Sequence, residues 1–163
     1  GPVINRKAFE DFRTYVEELR QAGTILTGGT QLTEGELAHG YFCAPTLVDG
    51  VPPDHRLWKH EMFLPITLIG AVDSLDDAIR WANDVQYGLT AGFYGSPKEA
   101  MSFFENIQVG VAYANRPQGA TTGAWPGYQP FGGWKGSGSS GKNGGGLYYL
   151  QLYMHEQIQA VIE

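Results

Sequence analysis

Between residues 66 and 114 the chain alternates short apolar runs with capped amphipathic stretches, and this alternation narrows the choice of fold more than any other feature. The apolar run at 66–72 leads into Ser74-Leu75-Asp76-Asp77, where a hydroxyl three residues ahead of a carboxylate forms a capping signal. Leu75, Ala78, Ile79 and Ala82 then share one helical face. Residues 89–94 read as a strand. Ser96-Pro97-Lys98-Glu99 reads as a helix start with a first-turn proline and a box glutamate, and Ala100, Phe103, Phe104 and Ile107 form the buried face that follows. A third strand at 109–114 completes the series. Strand, helix, strand, helix, strand at these lengths predicts right-handed parallel crossovers, so the expected class is α/β.

Upstream, Phe9, Phe12, Val16 and Leu19 recur at helical spacing over residues 6–22, and Gly23 is placed to end the helix. A short strand at 24–27 precedes Gly28-Gly29. Residues 30–65 carry Pro45, Pro52, Pro53 and Pro65 and read as irregular, with a strand at 44–48. At the other end, residues 147–154 and 158–162 read as strands in search of a sheet. The 163 residues are 42% hydrophobic, enough for a sizeable core. A net charge of −6, with no basic patch among the aromatics, argues against a nucleic-acid or anionic-membrane partner. No apolar run reaches the length of a membrane span, and one cysteine allows no internal disulfide, so a cytoplasmic location is expected. The opening Gly1-Pro2-Val3-Ile4-Asn5, without a methionine, suggests a piece of a larger protein or a protease scar.

Residues 121–146 form a glycine-dense stretch punctuated by Trp125, Tyr128, Phe131 and Trp134. Glycine lets main-chain N–H groups approach a ligand closely, and the rings supply rigid apolar walls. The combination suggests a pocket for a small, partly apolar anion. Gly136-Ser137-Gly138-Ser139-Ser140-Gly141 also fits G-x-G-x-x-G, and Lys142 extends it toward a phosphate-binding loop. Both motifs require a preceding strand and a following helix, whereas Gln129-Pro130-Phe131-Gly132-Gly133 precedes and Asn143-Gly144-Gly145-Gly146 follows. Asn143 also replaces the Ser or Thr that would hold magnesium.

The four histidines, His39, His55, His60 and His155, are scattered without ligand spacing, so no metal site is expected. Cys43, in an apolar setting, reads as a packed thiol and not as a nucleophile. In His60-Glu61-Met62-Phe63-Leu64-Pro65 an extended segment could present Glu61 and Phe63 together, with the carboxylate suited to ribose hydroxyls. A solvated glutamate beside a core phenylalanine is the alternative.

Taken in order, Gly1-Pro2-Val3-Ile4, Gly40-Tyr41-Phe42 with Pro45-Thr46, Glu61-Met62-Phe63-Leu64-Pro65, Asn83 with Tyr87-Gly88-Leu89 and Ala91-Gly92, Gly110 with Asn115, and Pro130-Phe131-Gly132-Gly133 with Lys135 and Ser137-Gly138 resemble the aldehyde dehydrogenase superfamily. The resemblance covers nearly the whole chain. It implies the C-terminal part of that family's catalytic domain, an open and mostly parallel sheet with helices, over residues 1–146, and terminal oligomerisation strands over 147–163. Asn115-Arg116-Pro117, followed by Thr122-Gly123-Ala124, Gly127 and Gln129-Pro130-Phe131-Gly132-Gly133, is similar to the branch that oxidises glutamate γ-semialdehyde, the 1-pyrroline-5-carboxylate dehydrogenases.

That resemblance implies NAD or NADP as cofactor, with Glu61 on the nicotinamide-side ribose and Phe63 near the nicotinamide. It also implies that Gly123 and Ala124 offer backbone N–H groups to the substrate carboxylate while Phe131 walls its aliphatic part. Gly119 and Ala120 form a second Gly-Ala pair, because the chain runs a few residues longer here than the branch's pattern. The family's nucleophilic cysteine, general-base glutamate and dinucleotide-binding fold lie upstream of the matching segment, so no catalytic residue is expected in this chain. The isolated chain is expected to be inactive and to join a homo-oligomer through its C-terminal strands. Two other classes stay open at this point: a non-catalytic ligand-binding or assembly module, and a phosphate-loop nucleotide hydrolase.

Overall fold

A computed structural model describes residues 1–116 and 129–162, which gather into two compact units, Gly1–Val72 and Asp73–Glu163. In the first, helix α1 (Arg6–Ala22) begins where the Asn5 side chain accepts from the Ala8 amide at 2.9 Å, and it ends at Gly23. Its apolar stripe buries Phe12, Val16 and Leu19. Strand β1 (Thr24–Thr27) pairs antiparallel with β4 (Thr46–Asp49), and β5 (Ile66–Leu68) lies parallel on the other side of β4. Gly28 and Gly29, at φ 77° and 74°, turn the chain out of β1 through the left-handed region that glycine occupies without steric cost. Two-residue strands β2 (Gln31–Leu32) and β3 (Phe42–Cys43) pair antiparallel.

The core of this unit joins the α1 stripe to Cys43, Val48, Val51, Leu57 and Ile66. Burying the apolar face of α1 against the sheet stabilises the unit by about 1.5–3 kcal/mol per fully buried large side chain. Thr46, also buried, donates its hydroxyl to the Ala44 carbonyl and accepts from the Gly29 amide, both at 2.9 Å, so its polar atom is satisfied.

The second unit opens with α2 (Leu75–Asn83), whose Ser74 hydroxyl accepts from the Asp77 amide at 3.1 Å. Strand β6 (Tyr87–Gly88) follows, then β7 (Thr90–Phe93), α3 (Pro97–Asn106) and β8 (Val111–Ala114). At α3 both arms of the capping box form between Ser96 and Glu99. β7 and β8 are parallel neighbours joined through α3, the βαβ unit that the alternation predicts. Ile79, Phe103 and Ile107 are buried at its centre, with Leu75, Ala91, Phe93 and Val109 packed against them. Strand β9 (Trp134–Lys135) pairs antiparallel with β6.

Three sequence expectations need correction. The strand at 66–72 shortens to β5, which pairs with β4, so the first expected crossover does not join β5 to β7 in one sheet among the described residues. Among the described residues parallel pairing appears only where a long connection intervenes, at β4–β5 and β7–β8, and the other pairs are antiparallel. Phe104 is exposed, because the inward face of α3 is taken by Ala100 and Phe103. Residues 147–154 contain a 3-10 turn at Leu150–Tyr153, and 155–162 adopt no regular element. A strand needs a neighbour for its ladder, and apolar content alone does not supply one. Ile158 is 99% exposed.

Candidate functional site

Residues 60–65 are pinned at both ends. On the N-terminal side, the 3-10 turn Arg56–Trp58 is fastened to α1: the Arg56 guanidinium donates to Glu18 through Nε at 2.8 Å and also through Nη2. The Trp58 indole donates to the Pro52 carbonyl at 3.0 Å, and the Tyr15 hydroxyl bonds the His60 ring at 2.9 Å. On the C-terminal side, the Pro65 carbonyl accepts from the Thr46 amide at 2.8 Å as β5 begins. Between these anchors Met62 and Leu64 pack on the core while Glu61 and Phe63 face outward.

Phe63 is 79% exposed and has φ 56°, a left-handed backbone that costs a non-glycine residue about 1–2 kcal/mol. A large ring held outward against both solvent and sterics is the kind of strain that surrounding structure sustains at ligand contacts. Beside it, Phe63, Leu64 and Pro65 with Gly1–Ile4 line an open groove of about 530 Å³. The reading of Phe63 as a core residue is thereby set aside: Glu61 and Phe63 are both exposed.

In the second unit the glycine-rich stretch is folded and tightly packed over its described part. Phe131 and Gly144 exchange backbone hydrogen bonds at 2.7 Å in both directions. A Cβ on Gly110 would collide with the Gly132 carbonyl, and one on Gly133 with Ser137, so these glycines are required by close backbone approach. The Ser137 hydroxyl accepts from the Gly88 amide at 3.0 Å. Gly123 and Ala124, like Gly119 and Ala120, lie outside the described residues. Phe131 is therefore the described member of the expected substrate contacts, and it is half-buried.

The phosphate-loop reading loses its support here. Residues 136–146 contain no helix, and the Lys142 ammonium sits 4.2 Å from the centre of the Tyr148 ring. Cys43 is 7% exposed and burial pushes its thiol pKa up, the opposite of what a nucleophile needs. Among the described residues no group of His, Cys, Asp or Glu is arranged to hold a metal, and no helix is long and apolar enough to cross a membrane. In the sequence Asn83 and Lys135 are motif letters; in the fold they tie separate segments together. The last turn of α2 carries its own cation, Arg80, which bonds Asp77, whereas the ammonium that reaches the Asn83 carbonyl at the helix end is that of Lys135, far along the chain, so no local signal reveals it.

Comparison with known proteins places this arrangement in a class. The model of the aldehyde dehydrogenase family matches residues 1–158, and the chain belongs to that family of oxidoreductases. The chain is 36% identical over 164 residues to 1-pyrroline-5-carboxylate dehydrogenase of Bacillus pumilus, covering all of this chain and 30% of that protein. Among solved structures, 1-pyrroline-5-carboxylate dehydrogenase from Thermus with bound NAD superposes with a TM-score of 0.82 at 38% identity, over 94% of this chain and 28% of that one. A lactaldehyde dehydrogenase superposes with a TM-score of 0.80 at 32% identity, over 96% of this chain and 31% of the other. The chain thus spans about 30% of the length of the curated relatives it matches.

Proposed function

We propose that this chain forms the substrate-anchoring part and the nicotinamide-riboside part of an NAD(P)-dependent aldehyde dehydrogenase that oxidises L-glutamate γ-semialdehyde to glutamate. The observation that carries the reading is the match, along the whole chain, to 1-pyrroline-5-carboxylate dehydrogenases, one of them with NAD bound. The local geometry fits. Glu61 and Phe63 project from one pinned segment, the carboxylate able to accept from ribose hydroxyls and the exposed ring able to pack near a nicotinamide.

In this reading Glu61 and Phe63 would hold the nicotinamide riboside of NAD, which would supply the hydride acceptor for the aldehyde carbon. The chain's own residues bind and orient. Gly123 and Ala124 offer backbone donors to the substrate α-carboxylate without the entropy cost of ordering long side chains, and Phe131 walls the aliphatic stretch. Fixing the carboxylate sets the distance from the aldehyde to the reacting groups, a proximity effect worth several kcal/mol or more, of order 7 in well-oriented systems. Residues 1–146 belong to the catalytic domain, and 147–163 to an oligomerisation element that completes its strands against another copy. The reaction takes place in the cytoplasm.

No nucleophile is assigned within the chain, so alone it should not reduce NAD with glutamate semialdehyde. Titrating the ¹⁵N-labelled chain tests the binding roles: nicotinamide mononucleotide should shift the Glu61 and Phe63 amides, and L-glutamate those of Phe131 and Gly132. NAD reduction by the chain alone, or silence of both sets of amides, would overturn the reading.

A further inference from the structure

Three separate stretches meet at the C-terminal end of α2. Asn83, its last residue, donates through Nδ2 to the carbonyl of Asn106 at the end of α3, at 2.9 Å, and accepts at Oδ1 from the Gln108 amide at 2.8 Å. The carbonyl of Asn83 then accepts from the Lys135 ammonium at 2.6 Å, and that of Val85 accepts from the same ammonium at 3.3 Å. Carbonyls at a helix C-terminus lack partners and carry partial negative charge, so an ammonium there gains both hydrogen bonds and the field of the helix.

Lys135 reaches these carbonyls from a left-handed backbone, φ 53°. Glycine is the default residue for such a conformation, and this stretch is full of glycine. The lysine here carries that backbone strain while its ammonium makes both bonds described above.

We propose that Lys135 is a positioning residue for Phe131. Its ammonium fastens β9 to the end of α2, and β9 is held to β6 by the pairs Tyr87–Lys135 and Gly88–Trp134, by the Gly136 amide on the Gln86 carbonyl at 2.8 Å, and by Ser137 on Gly88. From Lys135 the chain runs back through Gly133 and Gly132, both too crowded for a side chain, to Phe131, whose other flank is held by Gly144. Phe131 is thereby tied to the ends of both helices. That Phe131 contacts substrate rests on the function proposed above, whereas its fixation by Lys135 does not.

Amide hydrogen exchange on the chain decides the matter. Lys135→Met and Lys135→Gly should each accelerate exchange at Gly88, Phe131, Gly136 and Gly144 by about ten- to a hundredfold, the loss expected for a charge-assisted hydrogen bond. Val111 and Ala100, in β8 and α3, should be unchanged, and Lys135→Arg should recover most of the protection. Lys135→Gly is the sharpest variant because it relieves the backbone strain: protection equal to or above that of the unaltered chain would overturn the proposal. So would acceleration spread equally to Val111 and Ala100, which marks a general stabiliser. Should the variants fail to fold, the unaltered chain still answers, because the Lys135 ammonium protons should exchange more slowly than those of exposed Lys98, and equal rates would overturn the proposal. In a parallel titration with L-glutamate, Lys135→Met should bind about tenfold more weakly, a loss of the size of one hydrogen bond. If the unaltered chain ignores glutamate, the substrate reading fails while the exchange result still decides the role of Lys135.

Discussion

In the unit Gly1–Val72 a helix, a three-stranded sheet and a 3-10 turn close on one apolar core, whereas in Asp73–Glu163 the apolar centre is small and much of the remainder is joined by glycine contacts and hydrogen bonds around Asn83, Lys135 and Ser137. Apolar packing is strong but not directional: it holds a shape and tolerates exchange of one apolar side chain for another of similar volume. Hydrogen bonds and backbone contacts without intervening side chains specify position more narrowly. The first unit uses bulk to pin an outward-facing segment, Glu61 to Phe63. The second uses geometry to fix Phe131.

The contrast breaks most visibly at Leu19, which is fully buried in the first unit. Leu19→Ala should cost that unit about 2–5 kcal/mol. Urea denaturation followed by resolved amide signals should show the loss for α1 and β4 with no shift at Phe103 or Val111, and a uniform loss across both units would erase the distinction. Gly110→Ala tests the other side. The added methyl meets the Gly132 carbonyl, and overpacking of this kind costs about 1–3 kcal/mol. The weakening should concentrate at the Phe131–Gly144 bridge and leave the Leu19 neighbourhood as it was.

The smallest effect is on pH dependence, and it sharpens the comparison. Hydrogen bonds hold the carboxyl pKa of Asp77 below its ordinary value, through Arg80 first and then Ser74, and that of Glu99 through Ser96. A depressed folded-state pKa adds stability that is present above the unfolded value, near pH 4, and is lost as pH falls through the folded value. Asp77 is half-buried and Glu99 exposed, and they lie at the starts of α2 and α3, so acid should first accelerate exchange of the Ser96 and Asp77 amides. Amides of α1, capped by uncharged Asn5, should lag behind, and simultaneous loosening would deny the carboxylates this role.

The helices were legible because their signals are local: the Ser96–Glu99 box, the Ser74 cap and the spacing of Phe12, Val16 and Leu19 lie within a few turns of the residues they organise. Two-residue strands such as β2 and β3 carry no such signal, since their pairing is decided by residues brought from elsewhere. The C-terminal residues show the reverse case, with strand-like composition but no ladder partner among the described residues. At the site, the pairing of Glu61 and Phe63 as candidates was readable from their spacing within 60–65. The left-handed backbone of Phe63 was not, because it depends on anchors in α1 and β4.

From the order of residues alone came the α/β class, the Ser74 and Ser96 helix caps and the resemblance to a dehydrogenase family, because propensity, capping and motif spacing act between near neighbours. Only the tertiary structure decided which strands pair, that Phe63 stands outward under strain, and that a lysine far along the chain closes the end of α2. Those outcomes depend on contacts between residues distant in the chain, whose partners are backbone atoms that every residue carries and no motif can mark.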